Sequence, residues 1–588
     1  MSANIPSIQD KNEMLNNDEM SCNIKNELPL NSFPKKITDK NYKITKMDDI
    51  WDGQTDNAFK QLKFYKPPSN SKNKPNHTDV ALLMIGLDPR LHDDILVFKN
   101  KRETVVYTYN FPFNGIWAKQ PEPTTIMVSF ISQIRKRINR LILEPFQTLV
   151  KTFPDKFDIQ DEDERALKEQ KGKVLSAQKK YTDLYECLGD TNYKNNVIKE
   201  ILNIAIVEAR EQEYTEDMFD QKVGYIGFLD GVYDCSKKKR LLNTESRDLF
   251  ITRTVGYTYQ DVLDVSVDIY NAAMRFISQV LPDPVVRKWV FKRYYKCVQK
   301  IVEKIFLIFY NKIGDNGKTA FLKLIGKTFG SLYVKCNNNL LRKTGNTSKS
   351  GANEELMGTK GNALIVLSEL EGVMDTALAR ELVGGEEIST RGNYMDKTTF
   401  ESFALINIGC NTLPTPDSNT EAVFSKFRCV PFEAQFVNAD KVDEQNLKFL
   451  KDEYVSKSFD DWRPAVMKYM LSLADEEPEL PEKVMEHTKN YQTNNDILLE
   501  FFGANVERKE GGILTFQSVW EAWKYWVKEE QNNAHKKKAE LKEEIQRYFE
   551  KGTWFLDTIR DDKRYKQFWI GYTLSSTDYM EAAQDDYN

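Results

Sequence analysis

Apolar positions along this chain change period from block to block. From 301 to about 435, short apolar runs alternate with helical stretches. The runs are Ile305-Phe-Leu-Ile-Phe-Tyr310, Asn362-Ala-Leu-Ile-Val-Leu367 and Phe403-Ala-Leu-Ile-Asn-Ile-Gly-Cys410. Continuous runs this short predict buried strands within an α/β domain. From about 190 to 300 the pattern is mostly helical. It is interrupted by Val223 to Asp234, where apolar residues alternate with glycine and predict short strands with tight turns. Residues 161 to 188 are charged and predict a helix that bridges to the next unit.

At the other end, Phe516, Trp520, Trp523 and Val527 fall on one helical face, and Leu541, Ile545 and Phe549 mark a second helix. Trp554 to Ile559, a turn at Asp561-Asp562, and Arg564 to Ile570 predict a hairpin. Helix, helix, hairpin is the order of a winged-helix domain. Arg560, Lys563, Arg564 and Lys566 on the hairpin are candidate DNA contacts. The pattern weakens towards the N-terminus: the first 50 residues hold eight asparagines and no sustained apolar period. The boundaries predicted are 1–77 for a weakly ordered leader and linker, 78–188 for a small segment of unknown role, and 189–300 for a helical domain. An α/β core at 301–440, a helical connector at 441–494 and a winged-helix-like domain at 495–588 follow.

Composition changes this picture little. The 588 residues carry 83 Lys+Arg against 88 Asp+Glu, so DNA contact must come from local basic patches. No apolar run is long enough to predict a membrane-spanning helix. Seven scattered cysteines without a C-x-x-C, and four histidines with no ligand spacing, predict reduced thiols and no zinc centre. Residues 88 to 94 cluster acids with His92 in what reads as a surface loop, so no priming site is expected there.

The chemistry concentrates at three strand ends. Ile305–Tyr310 runs into Asn-Lys-Ile-Gly-Asp-Asn-Gly-Lys-Thr319 and then a helix, the context of a phosphate-binding loop. Gly314, Asp315, Asn316 and Gly317 supply a backbone that can wrap anions, Lys318 a charge for the β- and γ-phosphates, and Thr319 a hydroxyl for Mg²⁺. The first glycine of the usual pattern is Lys312 here. The second strand ends at Ser368-Glu369-Leu-Glu371, and the third at Asn411. Glu369, with Glu371 second, is the candidate for holding Mg²⁺ and orienting water. Asn411 is placed to contact the γ-phosphate or the water. Strand ends at a topological switch lie side by side, so the trio predicts nucleotide hydrolysis.

This trio resembles the superfamily 3 helicases, and more closely the helicase part of the poxvirus-type and phage/plasmid-type primase-helicases. Asn316-Gly-Lys-Thr319, Leu367-Ser-Glu369, Gly384-Gly-Glu-Glu-Ile-Ser-Thr-Arg391, Cys410-Asn-Thr-Leu-Pro414 and Phe424-Ser-Lys-Phe-Arg-Cys-Val-Pro-Phe432 carry the likeness. It covers roughly residues 190 to 575. It implies an AAA+-like P-loop motor flanked by a mostly helical N-terminal domain and a C-terminal winged helix. It further implies an ATP- and Mg²⁺-dependent DNA helicase of a viral or mobile-element replication system, intracellular and assembled as a homo-oligomeric ring, a hexamer. Single-stranded and forked DNA, and a separate primase or polymerase, are the partners implied. Arg391, Tyr394 and Lys397 would lie on a channel hairpin, and Lys426 or Arg428 would reach a neighbouring subunit's site. The alternative is an ATP-switched replication initiator or packaging factor that binds DNA without unwinding it.

Overall fold

The computed structural model describes residues 46–575, apart from 53–56, 66–74, 100–102, 111, 159, 344–352, 371, 392–397, 418–420, 530–536 and 561–562. The chain divides into two compact units, Met1–Thr108 with Lys119–Thr215, and Tyr109–Ala118 with Glu216–Asn588.

In the first unit, helices His77–Leu87, Pro123–Ile138, Glu162–Gly189 and Thr191–Glu211 bury Met84, Ile131, Tyr181, Leu184, Val197 and Ile201 in one core. Asp190 ends the third of these helices and caps the fourth, accepting a hydrogen bond from Tyr193 N at 2.7 Å. The chain therefore turns there without a loop. Because Thr191–Glu211 shares this core, the unit ends one helix later than the boundary expected at 188.

The second unit is built on a parallel sheet. Its elements are helices α1 (Val267–Val280) and α2 (Pro284–Val298), strand β1 (Phe306–Tyr310), helix α3 (Lys318–Phe329), strands β2 (Tyr333–Lys335), β3 (Leu364–Ser368), β4 (Leu405–Cys410) and β5 (Phe427–Pro431), and helix α4 (Phe459–Ser472). The strand order is β5-β1-β4-β3-β2, and every neighbouring pair is parallel. Side chains alternate between two covered faces, as the pleat requires. Leu307 and Phe309 of β1, with Leu364 and Val366 of β3, join the core that includes Phe276, Phe291, Phe321 and Phe459. Phe306, Ile308, Ile365, Leu367, Ile406 and Ile408 enter the other core.

The stretch expected as a connector, 441–494, is part of this domain. Its α4 buries Phe459, Val466 and Met467 in the first core. Helix Glu482–Asn494 lies on β5, where the Thr488 hydroxyl accepts a hydrogen bond from Cys429 N at 2.9 Å. Tyr491 stacks edge-on with Phe424 and donates to Pro414 O at 2.6 Å. The edge strand is thus covered.

Between β3 and β4 the antiparallel strands Glu387–Thr390 and Thr398–Glu401 pair with each other, the first of them lying before Arg391, where the resemblance starts its channel hairpin. Ile388 and Phe400 are partners in this pair and are buried.

The C-terminal part has its own core around Val519, Trp523, Leu541, Ile545 and Trp569. Helices Phe516–Glu529 and Lys538–Ile545 and the hairpin Trp554–Arg560 with Lys563–Leu574 are present in the order expected. Helix Ile497–Asn505 and strand Val506–Thr515 precede them, and that strand pairs with Lys563–Leu574. Its sequence, Val506-Glu-Arg-Lys-Glu-Gly-Gly, has no apolar alternation. Pairing with a ready partner strand sets its conformation, through an irregularity between Arg508 and Ile513.

Candidate functional site

Beyond β1 the chain makes a loop held open by its own side chains. The Asn311 amide donates to Phe432 O and accepts from Ile313 N at 2.9 Å. Asn316 Nδ2 donates to Ile313 O at 2.6 Å. Phe436 N donates to Asp315 O at 2.7 Å, and Lys451 Nζ lies 3.2 Å from Asp315 Oδ1. Asp315 (φ 55°) and Gly317 (φ 78°) take left-handed conformations. A Cβ on Gly317 would stand 2.7 Å from Phe436 Cε2 and 3.1 Å from Val280 Cγ2, so glycine is required on both counts.

In this shape the N–H groups of Gly314, Asp315, Asn316, Gly317 and Thr319 find no acceptor among the described residues, and neither does the Thr319 hydroxyl. The loop opens directly into α3, whose first turn adds its dipole. Unpaired donors around a helix start suit a polyphosphate, and the Lys318 ammonium adds a full positive charge.

Lys318, Glu369 and Asn411 meet here. Tyr310 lies opposite Cys410 and Ser368 opposite Gly409, so the three strands end level. Lys318 Nζ donates to Asn411 Oδ1 at 2.8 Å. Asn411 Nδ2 points its remaining hydrogen-bond capacity at Glu369 Oε1, 3.4 Å away. Glu369 takes φ 56° just past β3, and its N–H donates to Gly409 O at 2.7 Å. A left-handed acidic residue beside two polar side chains is the kind of strain found at functional positions.

Lys318 is 6% exposed. Burial lowers its pKa, while the nearby Glu369 carboxylate acts in the other direction. Burial also pushes the neighbouring Cys410 thiol up to about 12, which keeps it neutral at pH 7.

A cavity of about 470 Å³ opens on this cluster. Lys318, Thr319, Glu369 and Asn411 line one part of it. Ala272, Arg275, Phe276 and Gln279 of α1, Phe436, and Trp462 of α4 line another part, next to Leu450, Lys451, Asp452 and Val455. The sequence reading missed these wall residues. Their only local sign is the spacing of 272, 275, 276 and 279, which fits one helical face; nothing local says that the face meets a loop some 40 residues on.

The other candidates lie apart. Glu371, Tyr394 and Lys397 fall outside the described residues. Arg391 is exposed at the end of the hairpin strand. Lys426 and Arg428 flank the start of β5. The Arg428 guanidinium folds onto Ser425 O at 2.8 Å and Phe427 O at 2.6 Å. Lys426 is half-buried, and its ammonium has no partner among the described residues. Arg560 and Lys563 are partners in the backbone register of the C-terminal antiparallel pair. Arg564 Nε pairs with Asp557 at 3.0 Å, and Asp557 also sits opposite Lys566 in the ladder, which offsets part of the basic charge. Among the described residues, no helix is long and apolar enough to cross a membrane.

Comparison with known proteins adds a lineage to this geometry. The family model described as D5 N terminal like matches residues 95–290. The chain is 22% identical over 435 residues to "Putative helicase L207/L206" of Acanthamoeba polyphaga mimivirus, covering 71% of this chain and 43% of that protein. It is 24% identical over 269 residues to "Putative helicase 022R" of Frog virus 3 (isolate Goorha), covering 43% and 27%. For "Putative helicase 184R" of Invertebrate iridescent virus 6 the identity is 25% over 331 residues, covering 50% and 33%. The chain spans less than half the length of these relatives. Among solved structures it is similar to the JCV helicase, at 11% identity and a TM-score of 0.28 over 66% of this chain and 96% of that one. The NrS-1 C-terminal region matches at 14% identity and a TM-score of 0.30, over 45% of this chain and 59% of that one. The family match and the viral relatives bear out the resemblance to the superfamily 3 helicases that the motifs carry.

Proposed function

We propose that the chain is an ATP-driven DNA helicase of a viral replication system, working in infected cells as a homo-oligomeric ring built on AAA+-like P-loop motors. The observation that carries this reading is the convergence of Lys318, Asn411 and Glu369 on one cavity beside a loop of unpaired N–H groups.

In this reading the Gly314–Gly317 N–H groups cradle the phosphates. Lys318 leaves Asn411 for the transferred phosphoryl group, where its charge matters most as negative charge develops. Asn411, relieved of Lys318, turns its amide to the γ-phosphate or the attacking water. Glu369 takes up water through its carboxylate and orients it. Thr319 and Glu369 are the residues to hold Mg²⁺, which supplies neutralising charge when bound. The donor set fits: a free hydroxyl and an exposed carboxylate at the mouth of the cavity.

Lys426 is the better of the two candidates for reaching a neighbouring subunit, because Arg428 is tied to its own strand. The segment from Arg391 on, with Tyr394 and Lys397, is assigned to the ring channel. The C-terminal helix-strand-helix-helix-hairpin is assigned as a winged helix that adds DNA affinity through Lys566 and its basic neighbours. The supporting features are the paired strands on either side of residues 391–397, the order of the C-terminal elements, and the viral relatives.

Strand displacement on a forked duplex tests the reading, alongside the mass of the assembly. An ATP-dependent ring that separates the fork supports it. An assembly that binds ATP and DNA but never separates strands favours the initiator or packaging factor. Mixing tests the neighbour's contribution: Lys426→Ala and Lys318→Ala subunits, each inactive alone, should regain activity together.

A further inference from the structure

We propose that Asn338, on the turn that follows β2, is a positioning residue for Glu369: its side-chain amide holds the left-handed backbone from which the carboxylate reaches the cavity. The proposal rests on the reading of Glu369 as the group that orients water. It adds a residue from a fourth strand end, that of β2, to a site otherwise built at the ends of β1, β3 and β4.

The backbone of Glu369 is held from both sides. Its φ is 56°, a conformation that a residue with a Cβ does not keep without support. Its N–H donates to Gly409 O at 2.7 Å, which fixes the peptide plane before it. Its carbonyl accepts from Asn338 Nδ2 at 2.8 Å, which fixes the plane after it. Ser368 ends β3 on one side, and Leu370 is fully buried on the other. With both planes set, the Cα–Cβ bond has one direction. Along it the carboxylate lines the cavity, with Oε1 3.4 Å from Asn411 Nδ2.

Asn338 is itself rigidly placed. The run Asn337-Asn-Asn339 reads as a plain turn, and its backbone is one. Asn337 Oδ1 accepts from Asn339 N at 3.0 Å and caps the single helical turn Asn338–Leu340. Just before the turn, Cys336 N donates to Val366 O at 3.0 Å and ties it to β3; just after, Leu340 and Leu341 are buried. None of this uses the side chain at 338. That side chain crosses instead to a residue 31 positions away.

Hydrogen-bond satisfaction alone does not account for the contact. Glu369 is exposed, so water would satisfy its carbonyl without Asn338. Water does not supply a fixed direction. Loss of the amide should therefore cost little stability and much of the aim of the carboxylate.

ATP hydrolysis, equilibrium ATP binding and thermal melts on the full chain test this with Asn338→Ala and Asn338→Leu. Leucine is close to asparagine in size and brings neither a donor nor a charge. Both variants should lower kcat by about tenfold or more, the scale on which a misplaced catalytic group acts. ATP affinity and Tm should stay close to those of the wild type. Asn339→Ala, exposed on the same turn, should change none of the three. A double variant separates positioning from general damage. In a Glu369→Gln background no carboxylate is left to aim, so adding Asn338→Ala should slow hydrolysis by less than about twofold more. If Asn338→Ala melts below the assay temperature, Asn338→Leu carries the same comparison. Wild-type kcat in a folded Asn338 variant, or losses that multiply in the double variant, would overturn the positioning role and leave Glu369 as the water-orienting group. Wild-type hydrolysis by Glu369→Gln would overturn the reading of Glu369, and the positioning role with it.

Discussion

Lys318 and Asn411, 93 residues apart in sequence, are joined by a 2.8 Å hydrogen bond from the Lys318 ammonium to the Asn411 amide oxygen. The bond gives a buried ammonium a neutral partner, one it can leave for a phosphate at small cost. Replacing Asn411 with Asp would convert it into an ion pair, stronger and harder to leave. Asn411→Asp should therefore keep the fold and weaken ATP binding by about tenfold or more, through competition for Lys318 and repulsion of the phosphates. Asn411→Ala should bind ATP nearly normally but hydrolyse it on the order of 10² more slowly. Equilibrium binding and steady-state hydrolysis separate the two outcomes.

Glu369 combines a chemical role with a strained backbone. At φ 56° a residue with a Cβ is disfavoured, and glycine is not. Glu369→Gln should bind ATP and lose hydrolysis by about 10² or more, since an amide cannot polarise water as a carboxylate does. Glu369→Gly should be equally inactive yet at least as stable to thermal unfolding as the wild type. A clear fall in Tm for the glycine variant would show that the left-handed backbone is not a constraint.

Gly317→Ala tests the loop itself. Its methyl group would meet the Phe436 ring at 2.7 Å on a backbone at φ 78°. The expected loss is about 1–3 kcal/mol of stability together with nucleotide binding. Denaturant unfolding and ATP binding measure the two separately.

Much of this was legible from the sequence because strand ends are local. Ile305–Tyr310, Asn362–Leu367 and Phe403–Cys410 each announce a buried strand, and each is followed by its polar group. The C-terminal hairpin was legible for the same reason, through Trp554 to Ile559 and its turn. What escaped is long-range. Strand Val506–Thr515 is charged, and its partner strand fixes its conformation. Helix Glu482–Asn494 reads as a polar connector, yet Tyr491 and Thr488 seal the edge of β5. The cavity wall escaped because Phe276 and Trp462, 186 residues apart, become neighbours only in the folded chain. The pairing of Arg564 with Asp557 likewise needs the strand register.

A pH effect follows from Lys300, a buried lysine whose ammonium donates to Asp220 O. Burial lowers its pKa from 10.5 to about 8, partly opposed by the Asp220 carboxylate. Between pH about 8 and about 10.5 the unfolded chain holds this proton and the folded chain does not. The unfolded state then binds more protons, so the contribution of Lys300 to stability rises with pH across that window. Unfolding curves at pH 7.5 and 9.5 should show a smaller gain, or a larger loss, for Lys300→Met than for the wild type. Parallel pH dependence in the two proteins would contradict the assignment.

The most direct measurement of the central claim is ATP hydrolysis by the wild type and by Lys318→Ala, with and without single-stranded DNA, on protein shown to be folded. The wild type should hydrolyse ATP and be stimulated by the DNA. Lys318→Ala should lose on the order of 10² or more of that rate while melting at a similar temperature, because the lysine's charge acts mainly as the transferred phosphoryl group becomes more negative. Hydrolysis at the wild-type rate in a folded Lys318→Ala protein would contradict the account.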